Sequence, residues 1–244
     1  MKISVIIPCY NFEDYIEQSI LSAVSQKTNF EIEILVRDDM STDTSQICIE
    51  RVATFNPNVK FFTADENLGA QKNVKFLIEQ AKGEYIAYLD GDDYWTDVYK
   101  LQKQVDFLDS NPDYIMTFTG HWMKKDRDYS PSLSYQWLCL PNNFSDGEVK
   151  TEDLLNGNWV SFGRVFKNTP DLFKEWMMTS FYFDWVTNYE LSKSGKIKYL
   201  DFPSGVYRIH DKGVFSLLKD EEKQKITNIF IDKILIDYNN WKNN

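Results

Sequence analysis

The sequence predicts an α/β fold: a mainly parallel central sheet flanked by helices, followed by a smaller region and a C-terminal helix. Three observations predict it. Over the first 120 residues, short β-rich runs alternate with stretches whose apolar residues recur at helical spacing, the pattern of parallel strands joined by crossover helices. The residues that end successive strands are Asn and Asp, so several segments deliver polar groups to one edge of the sheet, where such folds bind ligands. Finally, 244 residues, 43% of them hydrophobic, bury a sizeable core as one large unit, or one domain with an extension.

Ile3 to Ile7 form the first strand, stopped by Pro8, and Phe12, Ile16, Ile20, Ala23 and Val24 then share a helical face, with Asn11 placed to cap. Ile32 to Val36 are the second strand, ended by Arg37-Asp38-Asp39. Ser41 or Thr42 is placed to cap a second helix that reaches Phe55, before Asn56-Pro57. Val59 to Thr63 are the third strand. A helix from Ala70, apolar at Val74, Leu77, Ile78 and Ala81, stops at Lys82-Gly83, and the apolar run Tyr85 to Leu89 is the fourth strand. Asp97 to Leu108 read as a helix ended by Asn111-Pro112, and Tyr114 to Phe118 as a strand. Residues 124–147, with Pro131, Pro141 and Asn142-Asn143, read as a loop-rich insertion. Trp159 to Phe166 suggest a strand, Phe173 to Ser192 a helical region closed by Gly195, and Ile197 to Leu200 and Gly205 to Ile209 two short strands. Glu221 to Trp241 form an amphipathic helix, with Ile226, Phe230, Ile234 and Tyr238 in one stripe and Ile229 and Trp241 beside it.

A formal charge of −10 repels phosphate polymers and argues against nucleic acid as a partner, so any anionic small molecule must be met by a local cation. Cys9, Cys48 and Cys139 show no C-x-x-C spacing, the usage of buried thiols in a reducing compartment. The first apolar run is too short for a signal-peptide core and no window reaches the length of a membrane span. The expected location is therefore the cytoplasm, extending to the inner face of a membrane. None of the ten glycines stands in a G-x-G step, and Gly195-Lys196 is followed by Ile197, so the dinucleotide and P-loop fingerprints are both missing.

At the predicted sheet edge stand Tyr10-Asn11, Asp38-Asp39, the stretch from Asn67 to Lys72, and Asp90-Gly91-Asp92-Asp93. Carboxylates gathered this closely repel one another. With the oxygens of a bound diphosphate they make a natural site for Mg²⁺ or Mn²⁺. Asp90 to Asp93 alone would serve as a solvated turn, but such a turn does not account for four polar segments on one edge.

Ser4-Val5-Ile6-Ile7-Pro8-Cys9-Tyr10-Asn11, Asp38-Asp39 with Ser41-Thr42-Asp43 behind it, Glu66-Asn67-Leu68-Gly69, Asp90-Gly91-Asp92-Asp93, Phe183-Asp184-Trp185, and Tyr207-Arg208-Ile209-His210 with Gly213 and Ser216 together resemble the family-2 inverting glycosyltransferases. The resemblance covers most of residues 3–216. It implies a GT-A-type nucleotide-binding fold in which 1–120 form the nucleotide-sugar half, 121–216 the acceptor and catalytic-base half of the same domain, and 217–244 a helical extension. It further implies that Pro8, Tyr10 and Asn11 lie under the nucleotide base and that Asp39 bonds to that base, commonly uracil. Asn67 and Gly91 join the donor-binding residues, Asp90 approaches the ribose, Asp92 binds the metal, and Asp93 supports or caps the turn, a second metal ligand being its other reading. Lys72 takes the place of an Arg that contacts the donor in many relatives, and offers a point charge rather than a fork. His210 completes the metal site or touches the diphosphate, and Arg208 offsets diphosphate charge. Asp184 is the implied catalytic base; Phe183 stands where many members carry Glu. Independently of the resemblance, the aromatic cluster Phe181, Tyr182, Phe183 and Trp185 is the kind of surround that raises a carboxylate's proton affinity, and deprotonating a sugar hydroxyl needs a positioned base. The same Asp would also serve as a helix N-cap.

The implied reaction is a single displacement that uses Mn²⁺ or Mg²⁺. It moves a sugar from a nucleoside diphosphate, chiefly UDP, to a hydroxyl of a saccharide or lipid-linked saccharide acceptor in bacterial cell-surface polysaccharide or lipopolysaccharide synthesis. Two rival readings exist. A nucleotidyltransferase that forms sugar nucleotides normally has a Gly-rich loop after the first strand, where Pro8-Cys9-Tyr10-Asn11 has none. A non-catalytic nucleotide-sugar binder would have lost Asp92 or Asp184, and both are present. Acceptor choice falls to residues 121–180, where Trp122, Trp137 and Trp159 either stack on a sugar or pack. The terminal helix, with Asp232 and Asp237 among its lysines, reads as packing on the domain, weak peripheral association with a membrane being its other use.

Overall fold

The computed structural model describes residues 1–125, 136–138, 147–160, 162–169, 172–211 and 218–243. Strands β1 (Ile3–Cys9), β2 (Ile32–Asp38), β3 (Val59–Thr63) and β4 (Tyr85–Tyr88) lie in the order β3-β2-β1-β4 and are parallel throughout. Helices α1 (Ile16–Val24), α2 (Ser45–Phe55) and α3 (Ala70–Gln80) connect them. A second half follows, with β5 (Tyr94–Trp95), α4 (Lys100–Ser110), β6 (Tyr114–Lys125), β7 (Gln136–Leu138), β8 (Glu148–Val149), β9 (Val165–Lys167), α5 (Phe183–Ser192), β10 (Lys196–Ile209) and α6 (Asp220–Lys242). The short β9 is the joint between the halves: it runs antiparallel to both β4 and β6, and β10 then lies parallel beside β6. The sheet is thus parallel in its first half and mixed in its second.

Burial follows the period of two that a strand imposes. Ile3, Val5, Ile7 and Cys9 enter one core cluster with Ile16, Ile20, Ile49, Val52, Leu101 and Val105 from α1, α2 and α4. Ile6 enters the other, with Val74 and Leu77 of α3, Trp185 and Tyr189 of α5, and Phe230, Ile234 and Tyr238 of α6. Helices therefore cover both faces, and the terminal helix is part of the core. Ile226 of its expected stripe is half-buried, whereas Ile229 and Trp241, expected beside the stripe, stay exposed.

Several boundaries differ from the sequence reading. The helix expected from Asp97 begins at Lys100. The strand expected over Trp159 to Phe166 is confined to Val165–Lys167. Phe173 to Ser192 divide into a 3₁₀ turn, Glu175–Thr179, and α5. The two short strands after Gly195 are one continuous β10, because register shifts around Pro203 absorb the breaks that Pro203 and Gly205 suggest. Neither Asn11 nor Ser41 or Thr42 caps the following helix: α1 starts after Tyr15, α2 after Thr44, and neither cap is a side-chain bond. Cys139 and most of the expected insertion lie outside the described residues, as do Gly213 and Ser216.

Candidate active site

The carboxyl ends of β1, β2 and β4 converge, and the loops that follow them are bound to one another. Asn11 adopts a left-handed φ of 58°, a conformation Asn tolerates, and its Oδ1 accepts the Thr42 N–H at 2.8 Å while its own N–H donates to the Ser41 hydroxyl at 2.8 Å. Its polar side chain thus closes the β1 loop onto the β2 loop. Tyr10 beside it is 44% exposed on that surface. Asp38 and Asp39, read from sequence as part of an acidic edge, are instead satisfied internally. Asp38 Oδ2 accepts the Ser41 N–H at 2.8 Å and the Gln46 amide at 2.9 Å. Asp39 is buried, and its two oxygens accept the N–H groups of Leu68 at 3.1 Å and Gly69 at 2.8 Å, fixing the turn before α3. Asn67 belongs to the same clamp, donating to the Asp39 carbonyl at 3.0 Å. Lys72, in the first turn of α3, is exposed and has no ion-pair partner among the described residues.

The turn Asp90 to Asp93 gives each of its residues a different duty. Gly91 is required by contact: a Cβ there would lie 2.6 Å from the Pro8 carbonyl oxygen, so only glycine lets the ends of β1 and β4 approach this closely. Asp93 is buried and accepts the Arg208 N–H at 2.8 Å, and burial together with the charges of Asp92 and Asp90 pushes its carboxyl well above the usual range. Asp90 accepts the Tyr88 hydroxyl at 2.7 Å. Burial, first, and the charge of Asp92 push it up to about 7; Arg164 and the Tyr88 bond act the other way, and the charge of Asp184 adds to the rise. Asp184 is thereby close enough to act on Asp90, although they come from α5 and the β4 loop.

Asp92 keeps its side chain 20% exposed and meets His210 Nε2 at 3.0 Å. His210 packs against Tyr15 at 4.7 Å between ring centroids and edge-on to Phe12. The two are in hydrogen-bond contact, and a carboxylate oxygen beside an imidazole nitrogen is a donor pair that a divalent ion such as Mn²⁺ accepts. Among the described residues no cluster of three or more His, Cys, Asp and Glu forms a cation cage. Any further ligands would come from water or a bound diphosphate, as small divalent cations commonly require. Arg208 differs from its expected role in what it touches. Its guanidinium donates to the Asp92 carbonyl and to Gln18 Oε1 and stacks on Tyr94 at 4.4 Å and Tyr15 at 5.2 Å, so the charge is committed to the turn and to α1.

Asp184 lies in the first turn of α5 and accepts the Asn158 side-chain amide on Oδ2 at 2.6 Å; no bond to Oδ1 occurs among the described residues. It is not the N-cap, which is Tyr182. Sequence reasoning missed Asn158, Asn188, Tyr88 and Arg164. Arg164 is buried with its guanidinium 4.4 Å over the Tyr88 ring, and its charge acts on Asp90, but its neighbours Gly163 and Val165 carry no motif that marks it. His121, unassigned from sequence, is buried against Phe162, and burial pushes its pKa down to about 4. Trp159 bonds to the Asp153 carbonyl and packs on the core, and the side chain of Trp137 lies outside the described residues. No described helix is long and apolar enough to cross a membrane.

Comparison with known proteins gives this geometry a setting. Residues 4–171 match the model of Glycosyl transferase family 2. A relative from Escherichia coli, the UDP-Glc:alpha-D-GlcNAc-diphosphoundecaprenol beta-1,3-glucosyltransferase WfaP, is 32% identical over 51% of this chain and 47% of its own length. The crystal structure of S. aureus TarS 1-349 in complex with UDP-GlcNAc superposes with a TM-score of 0.67 at 22% identity, over 90% of this chain and 62% of that one. The mannosyltransferase PcManGT from Pyrobaculum calidifontis, in complex with GDP-Man and Mn²⁺, superposes with a TM-score of 0.59 at 17% identity, over 87% and 58%. The chain spans 60% of the length of the mycobacterial relatives that it matches at 29% identity. The GT-A-like sheet, its site at the strand ends and a match over more than half of the residues lead to one assignment: the chain belongs to Glycosyl transferase family 2.

Proposed function

We propose that this chain transfers a glycosyl group from a nucleoside-diphosphate sugar, with UDP as the carrier, to a saccharide hydroxyl, inverting the anomeric configuration. The observation that supports it most is that Asp184 of α5 and Asp90 of the β4 loop are joined by a run of side-chain contacts through Asn158, Asn188, Arg164 and Tyr88, with His210 of the β10 end against Asp92. A base and a set of donor carboxylates drawn from distant segments are what a single displacement requires.

The acceptor hydroxyl attacks the anomeric carbon while its proton passes to Oδ1 of Asp184, the oxygen left open by the Asn158 bond. The bond from the anomeric carbon to the diphosphate oxygen breaks, and its electron pair leaves with the diphosphate. Asp92 and His210 would hold a Mn²⁺ or Mg²⁺ ion, which offsets the negative charge gathering on the leaving group. Asp90, on the buried side of the turn, faces the ribose, and Tyr10, Asn11 and the Asp39 clamp border the base; each Asp39 oxygen retains a lone pair beyond its backbone bond. Arg208 holds the Asp92 backbone and so fixes the ligand's carboxylate. Exposed Lys72 is free to reach the donor as a point charge. The acceptor class we favour is a lipid-linked saccharide of cell-surface polysaccharide synthesis, in line with the substrate named for the Escherichia coli relative.

Thermal melting of the chain with a panel of UDP- and GDP-sugars, with and without Mn²⁺, tests this reading. A ligand at a hundred times its Kd stabilises by about 2.7 kcal/mol, or about 5–11 °C for a chain of this size. Asp92→Asn should abolish the metal-dependent part of that rise. A rise that survives chelation unchanged overturns the metal assignment, and no rise with any nucleotide sugar overturns the function.

A further inference from the structure

Beneath the base runs a chain of contacts that none of the site motifs contains. Asn158 Nδ2 donates to Asp184 Oδ2 at 2.6 Å. Asn158 Oδ1 in turn accepts from Asn188 Nδ2 at 3.2 Å, which also donates to the Val160 carbonyl at 2.7 Å. Asn188 Oδ1 accepts from Arg164 at 3.3 Å, the Arg164 guanidinium lies 4.4 Å over the Tyr88 ring, and the Tyr88 hydroxyl donates to Asp90 at 2.7 Å. The polarity of this chain has one solution. A carboxylate and a carbonyl only accept and a guanidinium only donates, so both Asn amides have their oxygen and nitrogen fixed by their partners. Asn188 is fully buried and Arg164 nearly so, while Asn158 sits at the half-buried end facing the base.

We propose that Asn158 is the positioning residue of the base, holding one oxygen of Asp184 so that the other takes the acceptor's proton, and that Asn188, Arg164 and Tyr88 tie this setting to that of Asp90 on the donor side. The proposal rests on Asp184 being the base. An amide suits the task better than a cation: it orients a carboxylate without pairing it with a full charge, and it cannot take the proton itself. Rooting the amide in a buried network keeps the open oxygen in one place, and small errors of placement are costly in a displacement.

Asn158→Ala is the direct test, with two readouts. In crystals of the wild-type chain and of the variant, the Asp184 carboxylate should be held by Asn158 in the first and leave that orientation in the second. Steady-state release of nucleoside diphosphate, from the sugar nucleotide that most stabilises the wild type, should fall about ten- to a hundred-fold in kcat, the size of a charge-assisted hydrogen bond. KM for the donor should stay within about twofold, and the melting temperature should fall by no more than this bond is worth, about 3–12 °C. Asn188→Asp, which keeps the shape and the Arg164 contact but loses the donors to Asn158 and Val160, should show a smaller kcat defect of the same kind. The proposal is overturned if Asp184 keeps its orientation in Asn158→Ala, if kcat is unchanged, or if kcat and nucleoside-diphosphate affinity fall together. Should the wild type turn over no sugar nucleotide, the reaction proposed above fails, and the two crystal structures still decide whether Asn158 holds Asp184.

Discussion

The two oxygens of Asp184 differ in their surroundings, one bonded to Asn158 and one without a bond among the described residues, and a single substitution separates shape from basicity. Asp184→Asn keeps an oxygen for the Asn158 amide but cannot accept a proton. Turnover should fall about 10²-fold or more while nucleoside-diphosphate affinity, measured by calorimetric titration, stays within about twofold. Normal turnover would move the base elsewhere. Asp184, Asp92 and His210 were picked out by the family resemblance, because each sits in one of the short motifs that carry it. Asn158, Asn188 and Arg164 were not, since their bonds join residues 24 to 30 apart and amide pairing follows no spacing rule. Asp38 and Asp39 show the converse. They were legible as carboxylates at the edge, but composition cannot show that backbone N–H groups already satisfy both.

Elements set the site by how near their ends come. Gly91→Ala would press a Cβ against the Pro8 carbonyl, in backbone that cannot yield as a flexible side chain would. The expected cost is about 1–3 kcal/mol, a drop of several degrees in the melting temperature. An unchanged melting temperature would mean that the two strand ends have room to part. In α4, Lys100 is fully buried between Gln104 Oε1 at 2.5 Å and the Gly163 carbonyl at 3.2 Å, and burial pushes its ammonium down to about 7. The unfolded chain holds that proton up to about pH 10.5 and the folded chain releases it near 7. Between these values the unfolded state binds more protons, so this group adds stability as pH rises and withdraws it as pH falls toward 7. Urea unfolding at pH 7 and pH 9 should therefore show the wild type gaining on Lys100→Met at the higher pH; a gap that does not change with pH would refute the assignment. The alternation of strands and helices was legible through residue 120, where each element has its own periodicity. The continuity of β10 was not, because Pro203 and Gly205 carry the local signature of a break and only pairing with β6 bridges it.

At the scale of the whole molecule, α6 closes the face on which α5, the helix of Asp184, sits. Phe230 is buried against Tyr182 and Trp185, ring centroids 5.6 and 4.8 Å away, and those two residues flank Asp184. Phe230→Ala should cost about 3–5 kcal/mol, or about 6–20 °C of melting temperature. Below its melting range the variant should also lose kcat, as the helix that carries Asp184, the proposed base, loses its backing. A variant that melts early yet turns over normally would separate the two roles. The position of β9 has a further meaning when the chain is considered in time. The first four strands and their helices are neighbours in sequence and can pair as they leave the ribosome, but β9 must enter between β4 and β6, and β10 must then find β6 some 80 residues behind it. Asp92 waits for His210 across 118 residues of chain. A half-made protein on the ribosome therefore has the turn that carries Asp92 but not the His210 that meets it, and the site is completed only when the last strand is in place.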